Sequence, residues 1–148
     1  MKQMIRKVKI IGTGYYVPDK IYTNEFLETI IDTDADWIYN TLGIKERRIA
    51  EENQATSDLA WKAGKAAIED ANLKVEDIDL IILATATPDR LSPSTACFVQ
   101  DKLAAYNAAA FDISAVCSGF LFSMSVASQY IASGVYQNVL VIGADTFS

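Results

Sequence analysis

The sequence contains no histidine. Histidine is the usual partner of a nucleophilic serine or cysteine, and it is the commonest ligand of transition metals. Its absence excludes a Ser–His or Cys–His pair made within these 148 residues. The two cysteines, Cys97 and Cys117, are too few for a disulfide scaffold and lack the C-x-x-C spacing of a zinc site. They predict a reducing, cytoplasmic compartment and no metal.

Positive charge and long apolar runs are also scarce. Thirteen Lys and Arg stand against 19 Asp and Glu, so the net charge is −6, which argues against a nucleic-acid partner. No apolar run approaches the roughly 20 residues that span a bilayer. The basic start of the chain is not followed by an apolar signal segment, because Gly12 and Gly14 interrupt it. We therefore expect neither a membrane anchor nor a signal peptide.

Four short apolar runs predict β-strands. They cover residues 8–11, 80–85 and 139–144, with a weaker run at 108–113. The second and third are apolar on both faces, which is typical of parallel strands buried between helix layers. Helical patterns separate the later runs, so the sequence predicts an α/β domain with a mostly parallel sheet.

Five helices are predicted between these strands. They begin near Asn24, at Thr33 (where 33–36 approximates a capping box), at Thr56 or Ser57, at Ser94 and at Ser118. The third ends near Asn72 and the fifth near Gly134, a residue typical of helix C-termini. The helix over 118–133 is apolar nearly all round, so we expect it to be buried.

Cys117 is the strongest candidate nucleophile. It lies between the run that ends at residue 113 and the helix that begins near Ser118. Backbone N–H groups and the positive end of the helix dipole stabilise a thiolate at such a position, and Gly119 lets the backbone pass close to a ligand. A small buried cysteine fits the local pattern equally well. Cys97, within an apolar helical stretch, is interpreted as a core residue.

Several other polar or aromatic residues have alternative roles. Trp37 is either an anchor for a short helix or a flat face for an adenine ring. The glycines at 12 and 14 are not a dinucleotide fingerprint, since Val17 replaces the third glycine and Pro18 follows, and they predict a tight turn. Asp112 and Asp145 near strand ends can act as bases, but turn formation, or charge pairing with Arg90 or a neighbour, is favoured.

Ordered sequence segments then identify a family. They are IGTG at 11–14, VP at 17–18, DWI at 36–38, GIKERRI at 43–49, ATATPD at 84–89, PSTA at 93–96, FDISAVCSGF at 111–120 and GAD at 143–145. In this order and at this spacing they resemble the beta-ketoacyl-acyl carrier protein synthase III family of thiolase-fold condensing enzymes.

The resemblance implies a fold and an assembly. It implies that residues 1–148 form one amino-terminal thiolase-like domain, a βαβαβαββ half with a mixed, mostly parallel five-stranded sheet between helix layers. The second half, of the same topology, is absent from this chain. The helix from Ser118 would be a central helix of the layered fold, and the parent enzyme would be a homodimer.

The resemblance also implies a reaction in fatty acid biosynthesis. Cys117 would take the acyl group of an acyl-coenzyme A primer, and malonyl-acyl carrier protein would lose carbon dioxide and condense with it. Coenzyme A is part of a substrate, so no cofactor is expected. By position, Trp37 would stack on the coenzyme adenine and Thr33 would contact it, while Ser92 and Phe147 would line the acyl pocket.

Two features depart from the family pattern. Thr41 stands where the family often has an arginine that contacts coenzyme phosphate. The family's catalytic histidine and asparagine belong to the second half, so this chain alone is expected to lack turnover. Two alternatives stay open: another thiolase-fold acyltransferase, similar to hydroxymethylglutaryl-coenzyme A synthase or non-decarboxylating, and a non-catalytic dimerisation or binding half-domain.

Overall fold

The computed structural model describes residues 6–147, which form two compact units. The larger unit combines Ala55–Asp145 with the chain up to Tyr16, and the smaller combines Val17–Gln54 with Thr146 and Phe147. In chain order the elements are β1 (Lys20–Thr23), α1 (Asn24–Glu28), α2 (Ala35–Leu42), β2 (Glu46–Ile49), α3 (Thr56–Asp70), β3 (Leu80–Ala84), α4 (Thr95–Leu103), β4 (Ala109–Ile113), α5 (Gly119–Ser133) and β5 (Val139–Gly143).

A parallel sheet of strand order β4-β3-β5 forms the centre of the larger unit. Its register sets Ile82 beside Phe111 and Val141, and all five residues of β3 are buried. Alternate side chains of β3 point to opposite faces. Ile81 and Leu83 pack with residues of α3 and α4, whereas Leu80 and Ile82 pack with residues of α5. The α/β class and these three strands are confirmed.

The predicted five-stranded sheet is not what the described residues show, because they contain three parallel strands and a separate two-stranded pair. The strand predicted at 8–11 is wrong: that segment has no strand structure, and Ile10 is 68% exposed. A strand needs a hydrogen-bonding neighbour. Among the described residues no strand pairs with the 8–11 segment, including the edge strands β4 and β5.

Gly12 and Gly14 do more than form the predicted turn, because they let the chain lie directly on α3. A Cβ on Gly12 would come within 2.5 Å of the Ala67 carbonyl oxygen, and one on Gly14 within 2.4 Å of the Ala67 nitrogen. Only glycine fits so close an approach. The Thr13 backbone N–H also donates to the Asp70 carboxylate at 2.8 Å.

The predicted helices of the larger unit are present, and only α3 has an N-cap other than the predicted residue. Ala55 occupies the N-cap of α3, and the Asp58 carboxylate accepts a hydrogen bond from its N–H at 2.8 Å. Asn72 follows the helix with a left-handed φ of 53°, and Gly134 follows α5 with a φ of 81°. Both are residue types that tolerate this conformation.

Helix α5 is not buried all round, which corrects the sequence prediction. Gly119, Ser123 and Ala127 form the buried stripe. Phe120, Leu121 and Phe122 are 45%, 68% and 56% exposed within the described residues. The small side chains permit close packing on the sheet, and Val126 and Tyr130 also pack with Leu80 and Ile82.

The smaller unit contains an antiparallel pair that the sequence analysis missed. Lys20–Thr23 pairs with Glu46–Ile49. Buried Asn24 ties the unit together by donating to the Ile44 carbonyl at 2.8 Å and accepting from Arg47 at 2.8 Å. Helix α2 begins one residue later than predicted, because Asp34 and not Thr33 accepts the capping hydrogen bond.

Candidate active site

The three parallel strands end at one edge of the sheet, and the segments that follow them carry the candidate chemistry. Strands β3, β4 and β5 end at Ala84, Ile113 and Gly143. The carboxyl edge of a parallel sheet is where ligands bind in open α/β folds. Cys117 follows β4 at this edge, as the sequence predicted.

Cys117 is exposed at the junction between β4 and α5. It is the middle residue of a short turn, Val116–Ser118, in which the Ser118 N–H donates to the Ala115 carbonyl at 3.2 Å. Val116 has a left-handed φ of 45°. This backbone conformation is strained for a β-branched residue and is often found at functional sites. The exposed thiol and the strained neighbour favour the nucleophile over a buried core cysteine.

Gly119 fixes the start of α5 against the sheet. A Cβ at Gly119 would lie 3.0 Å from the Ala84 Cβ, so the helix begins almost in contact with the last residue of β3. The next residue of that chain, Thr85, donates its backbone N–H to the Ile113 carbonyl at 3.2 Å. The end of β3 therefore touches the chain on both sides of Cys117.

Asp112 caps α4. Its two carboxylate oxygens accept the backbone N–H groups of Thr95 and Ala96 at 2.6 and 2.7 Å. These are otherwise unpartnered donors at the start of a helix, and a carboxylate there also complements the helix dipole. Asp112 is therefore a capping residue for α4, a role that the sequence analysis did not predict.

Asp145 binds the segment that follows β3. Its Oδ1 atom accepts hydrogen bonds from the Ala86 N–H at 2.8 Å, the Thr85 hydroxyl at 3.2 Å and the Thr87 hydroxyl at 3.3 Å. The Thr85 hydroxyl in turn accepts the Thr87 N–H at 3.0 Å. Sequence reasoning found the carboxylate, but not its three donors.

Cys97 differs from Cys117 in its surroundings. It is half-buried on α4, 3.2 Å from the Ser94 hydroxyl and 4.0 Å from the Ala110 carbonyl. These contacts fit the packing role predicted for it.

The other predicted site residues lie in both units. Ser92 is exposed in the loop between β3 and α4 of the larger unit. Trp37, 56% exposed on α2, half-buried Thr33 and exposed Phe147 belong to the smaller unit. Within that unit, Trp37 presents an accessible ring and donates its backbone N–H to Asp34 at 2.6 Å.

The basic cluster at 45–48 is largely engaged inside the smaller unit. Arg47 donates to the Tyr22 carbonyl and to Asn24, and Arg48 donates to the Pro18 carbonyl and pairs with Glu46 at 3.2 Å. The Lys45 ammonium lies 5.9 Å from the Tyr39 ring centroid. The two arginines therefore have structural roles.

An apolar groove of about 800 Å³ runs along the larger unit. Segment 8–16, α3, β5 and one side of α5 line it, and Phe120 and Gly143 stand nearest the carboxyl edge. Its lining does not include Cys117 or Ser92.

Two features are absent from residues 6–147. No group of three or more His, Cys, Asp or Glu side chains is arranged to hold a metal ion. No helix in this part of the chain is long and apolar enough to cross a membrane.

Comparison with known proteins gives the candidate site a context. A family profile described as 3-oxoacyl-[acyl-carrier-protein (ACP)] synthase III matches residues 111–148, which include Cys117. The beta-ketoacyl-[acyl-carrier-protein] synthase III of Caldanaerobacter subterraneus subsp. tengcongensis is 60% identical over 139 residues. The protein of that name from Clostridioides difficile is 57% identical over 145 residues. This chain is a relative of the beta-ketoacyl-acyl carrier protein synthases III.

These relatives are longer than the chain. The alignments cover 94% and 98% of it, but 42% and 44% of the two synthases III. The chain therefore spans less than half the length of the curated relatives it matches.

Solved structures agree in fold. The synthase III structure from Aquifex aeolicus VF5 matches with a TM-score of 0.90 and 53% identity, over 93% of this chain and 44% of that one. The priming beta-ketosynthase from the R1128 polyketide biosynthetic pathway matches with a TM-score of 0.93 and 32% identity, over 99% and 44%. The resemblance drawn from sequence and the thiolase-like α/β fold are both confirmed.

Proposed function

We propose that this chain carries the nucleophile of a condensing enzyme of fatty acid biosynthesis, of the beta-ketoacyl-acyl carrier protein synthase III type. The observation that supports this most directly is the exposed Cys117 at the carboxyl edge of the sheet, inside the segment that the family profile matches. An exposed thiol beside the start of a helix is accessible to a large thioester.

The proposed reaction has two stages. The Cys117 thiolate attacks the thioester carbonyl of an acyl-coenzyme A, the carbon–sulfur bond to the coenzyme breaks, and the coenzyme leaves as its thiolate. Malonyl-acyl carrier protein then loses carbon dioxide, and the resulting carbanion attacks the Cys117 thioester. The product is a beta-ketoacyl-acyl carrier protein, and the Cys117 thiolate is regenerated.

Substrate contacts form a second part of the proposal. The accessible Trp37 ring would stack on the coenzyme adenine, with Thr33 beside it. Phe147 would limit the depth of the acyl pocket, and Ser92 would help to close the acyl pocket of the partner subunit in a homodimeric cytoplasmic enzyme. Thr41 offers no positive charge to the coenzyme phosphates, so we expect weaker coenzyme binding than in relatives that carry an arginine there.

The condensation stage needs groups that these residues do not provide. The sequence has no histidine to stabilise the developing charge of decarboxylation. We propose that the additional length of a synthase III supplies it, together with an asparagine. On this proposal the chain alone accepts an acyl group slowly and does not condense it.

Intact mass measurement after incubation with acetyl-coenzyme A tests the proposal. We expect one acetyl group on the protein, its loss in Cys117→Ala, and its retention in Cys97→Ala, because Cys97 is half-buried on α4. A folded protein that stays unmodified, or an adduct that moves with Cys97, would contradict the assignment. A folded protein without an acetyl group would favour the alternative, a non-catalytic dimerisation or binding half-domain.

The likeness to the R1128 priming ketosynthase supports a second candidate, namely starter-unit acylation in polyketide synthesis. The first stage at Cys117 is the same in both candidates. Acylation by acyl-coenzyme A primers therefore does not distinguish the two candidates. They differ in the carrier protein that accepts the product, so the second assay is condensation with malonyl groups on each type of carrier.

A further inference from the structure

Asp145 and Cys117 follow different strands at the same edge of the sheet. Asp145 is not near Cys117 in sequence, but its Oδ1 atom binds the backbone N–H of Ala86 and the hydroxyls of Thr85 and Thr87. One carboxylate oxygen thus holds three consecutive residues, here called the 85–87 segment.

Thr85 and the residue before it contact the chain on either side of the nucleophile. Its first residue, Thr85, is 5% exposed and donates its N–H to Ile113 at the end of the strand that leads to Cys117. The residue before it, Ala84, is in close contact with Gly119 at the start of the helix that follows Cys117. A shift of the segment therefore changes the surroundings of the thiol on both sides.

We infer that Asp145 is a positioning residue for acyl transfer to Cys117, acting through the 85–87 segment. The inference rests on the proposed function. Its three hydrogen bonds all end on Oδ1, and the carbonyl oxygen of an asparagine can accept the same three. Geometry, and not the negative charge, is therefore the property that the reaction requires of this side chain.

Asp79 offers a matched control at the opposite edge of the same sheet. It lies just before β3, and its Oδ2 atom accepts the backbone N–H groups of Gln137 and Asn138 at 2.7 and 2.9 Å. Asp79 thus holds a loop much as Asp145 does, far along the strands from Cys117. A merely structural role predicts the same behaviour for the two residues.

The experiment compares Asp145→Ala, Asp145→Asn and Asp79→Ala with the unmodified chain. For each we would measure the urea midpoint, the rate of Cys117 acetylation by acetyl-coenzyme A, and the rate of Cys117 alkylation by iodoacetamide. Alkylation needs only an accessible thiol, whereas acyl transfer needs an aligned carbonyl. The ratio of the two rates therefore reports positioning separately from folding.

We expect the ratio to fall about tenfold or more in Asp145→Ala, because small misplacements in a reacting pair are costly. Asp145→Asn should keep the ratio within about threefold of its original value. Asp79→Ala should lower the urea midpoint without changing the ratio. An unchanged ratio in Asp145→Ala, an equal fall in Asp79→Ala, or no rescue by asparagine would overturn the positioning role. If the chain without substitutions is not acetylated, the proposed function is refuted, and the positioning role with it.

Discussion

Ser123 gives the sharpest prediction about stability. It is fully buried in the middle of α5, and its hydroxyl is the one buried side-chain nitrogen or oxygen without a hydrogen-bond partner among residues 6–147. A buried polar group left unpaired costs about 1–3 kcal/mol. Alanine removes that group and is the better helix former by roughly 0.5 kcal/mol. Ser123→Ala should therefore raise the free energy of unfolding by about 1–2 kcal/mol, after allowance for the lost packing of one atom.

Ser125 on the same helix provides the control. Its side chain is exposed and its hydroxyl donates to the Leu121 carbonyl at 3.1 Å, so Ser125→Ala should change stability only by the helix-propensity difference of about 0.5 kcal/mol. Urea unfolding with a common slope would measure both. A gain in Ser123→Ala no larger than that of Ser125→Ala, or a loss, would show that the Ser123 hydroxyl has a partner.

Two further predictions concern the larger unit. Gly14→Ala should cost about 1–3 kcal/mol, since a Cβ there would lie 2.4 Å from the Ala67 nitrogen. Gly43→Asn is a control, because asparagine tolerates the φ of 71° and no heavy atom lies within 4 Å of a Cβ at Gly43. An equal loss of stability in both variants, measured by urea unfolding, would contradict the contact argument. The second prediction is pH-dependent: burial raises the pKa of Asp58, but the hydrogen bonds from Lys102 and the Ala55 N–H outweigh it and leave the pKa below its ordinary value. The unfolded chain then binds the proton first, so this stabilisation is present above the ordinary carboxyl pKa and is lost as pH falls through the lowered one. Asp58→Asn should flatten the acid limb of stability against pH, and an unchanged limb would refute the assignment.

Local pattern was enough to predict much of the fold. The strands β3, β4 and β5 and the helices between them follow from apolar period, capping residues and terminal glycines, which act over a few neighbours. The segment at 8–11 has the same apolar pattern but is not a strand. No described strand pairs with it, and pairing depends on distant chain segments that a local pattern does not contain.

The candidate site shows the same division. Cys117 could be predicted because its position depends on adjacent residues, namely a strand that ends and a helix that begins. The role of Asp145 could not, since its three donors lie 58 to 60 residues earlier in the sequence. Sequence indicated only that a carboxylate stands near a strand end. The choice between a base and a loop-binding residue depends on which donors the fold brings to it.

Helix α5 explains why an apolar pattern can predict a helix correctly and its burial wrongly. Its residues are apolar nearly all round, yet within the described residues only small ones are fully buried, while Leu121 and Phe122 are exposed. Gly119, Ser123 and Ala127 bring the backbone close to the sheet. The short distance between α5 and the sheet, which these small residues allow, therefore helps to position the helix that follows Cys117. The position of the thiol depends on the smallest side chains of α5, which a count of hydrophobic residues weighs least.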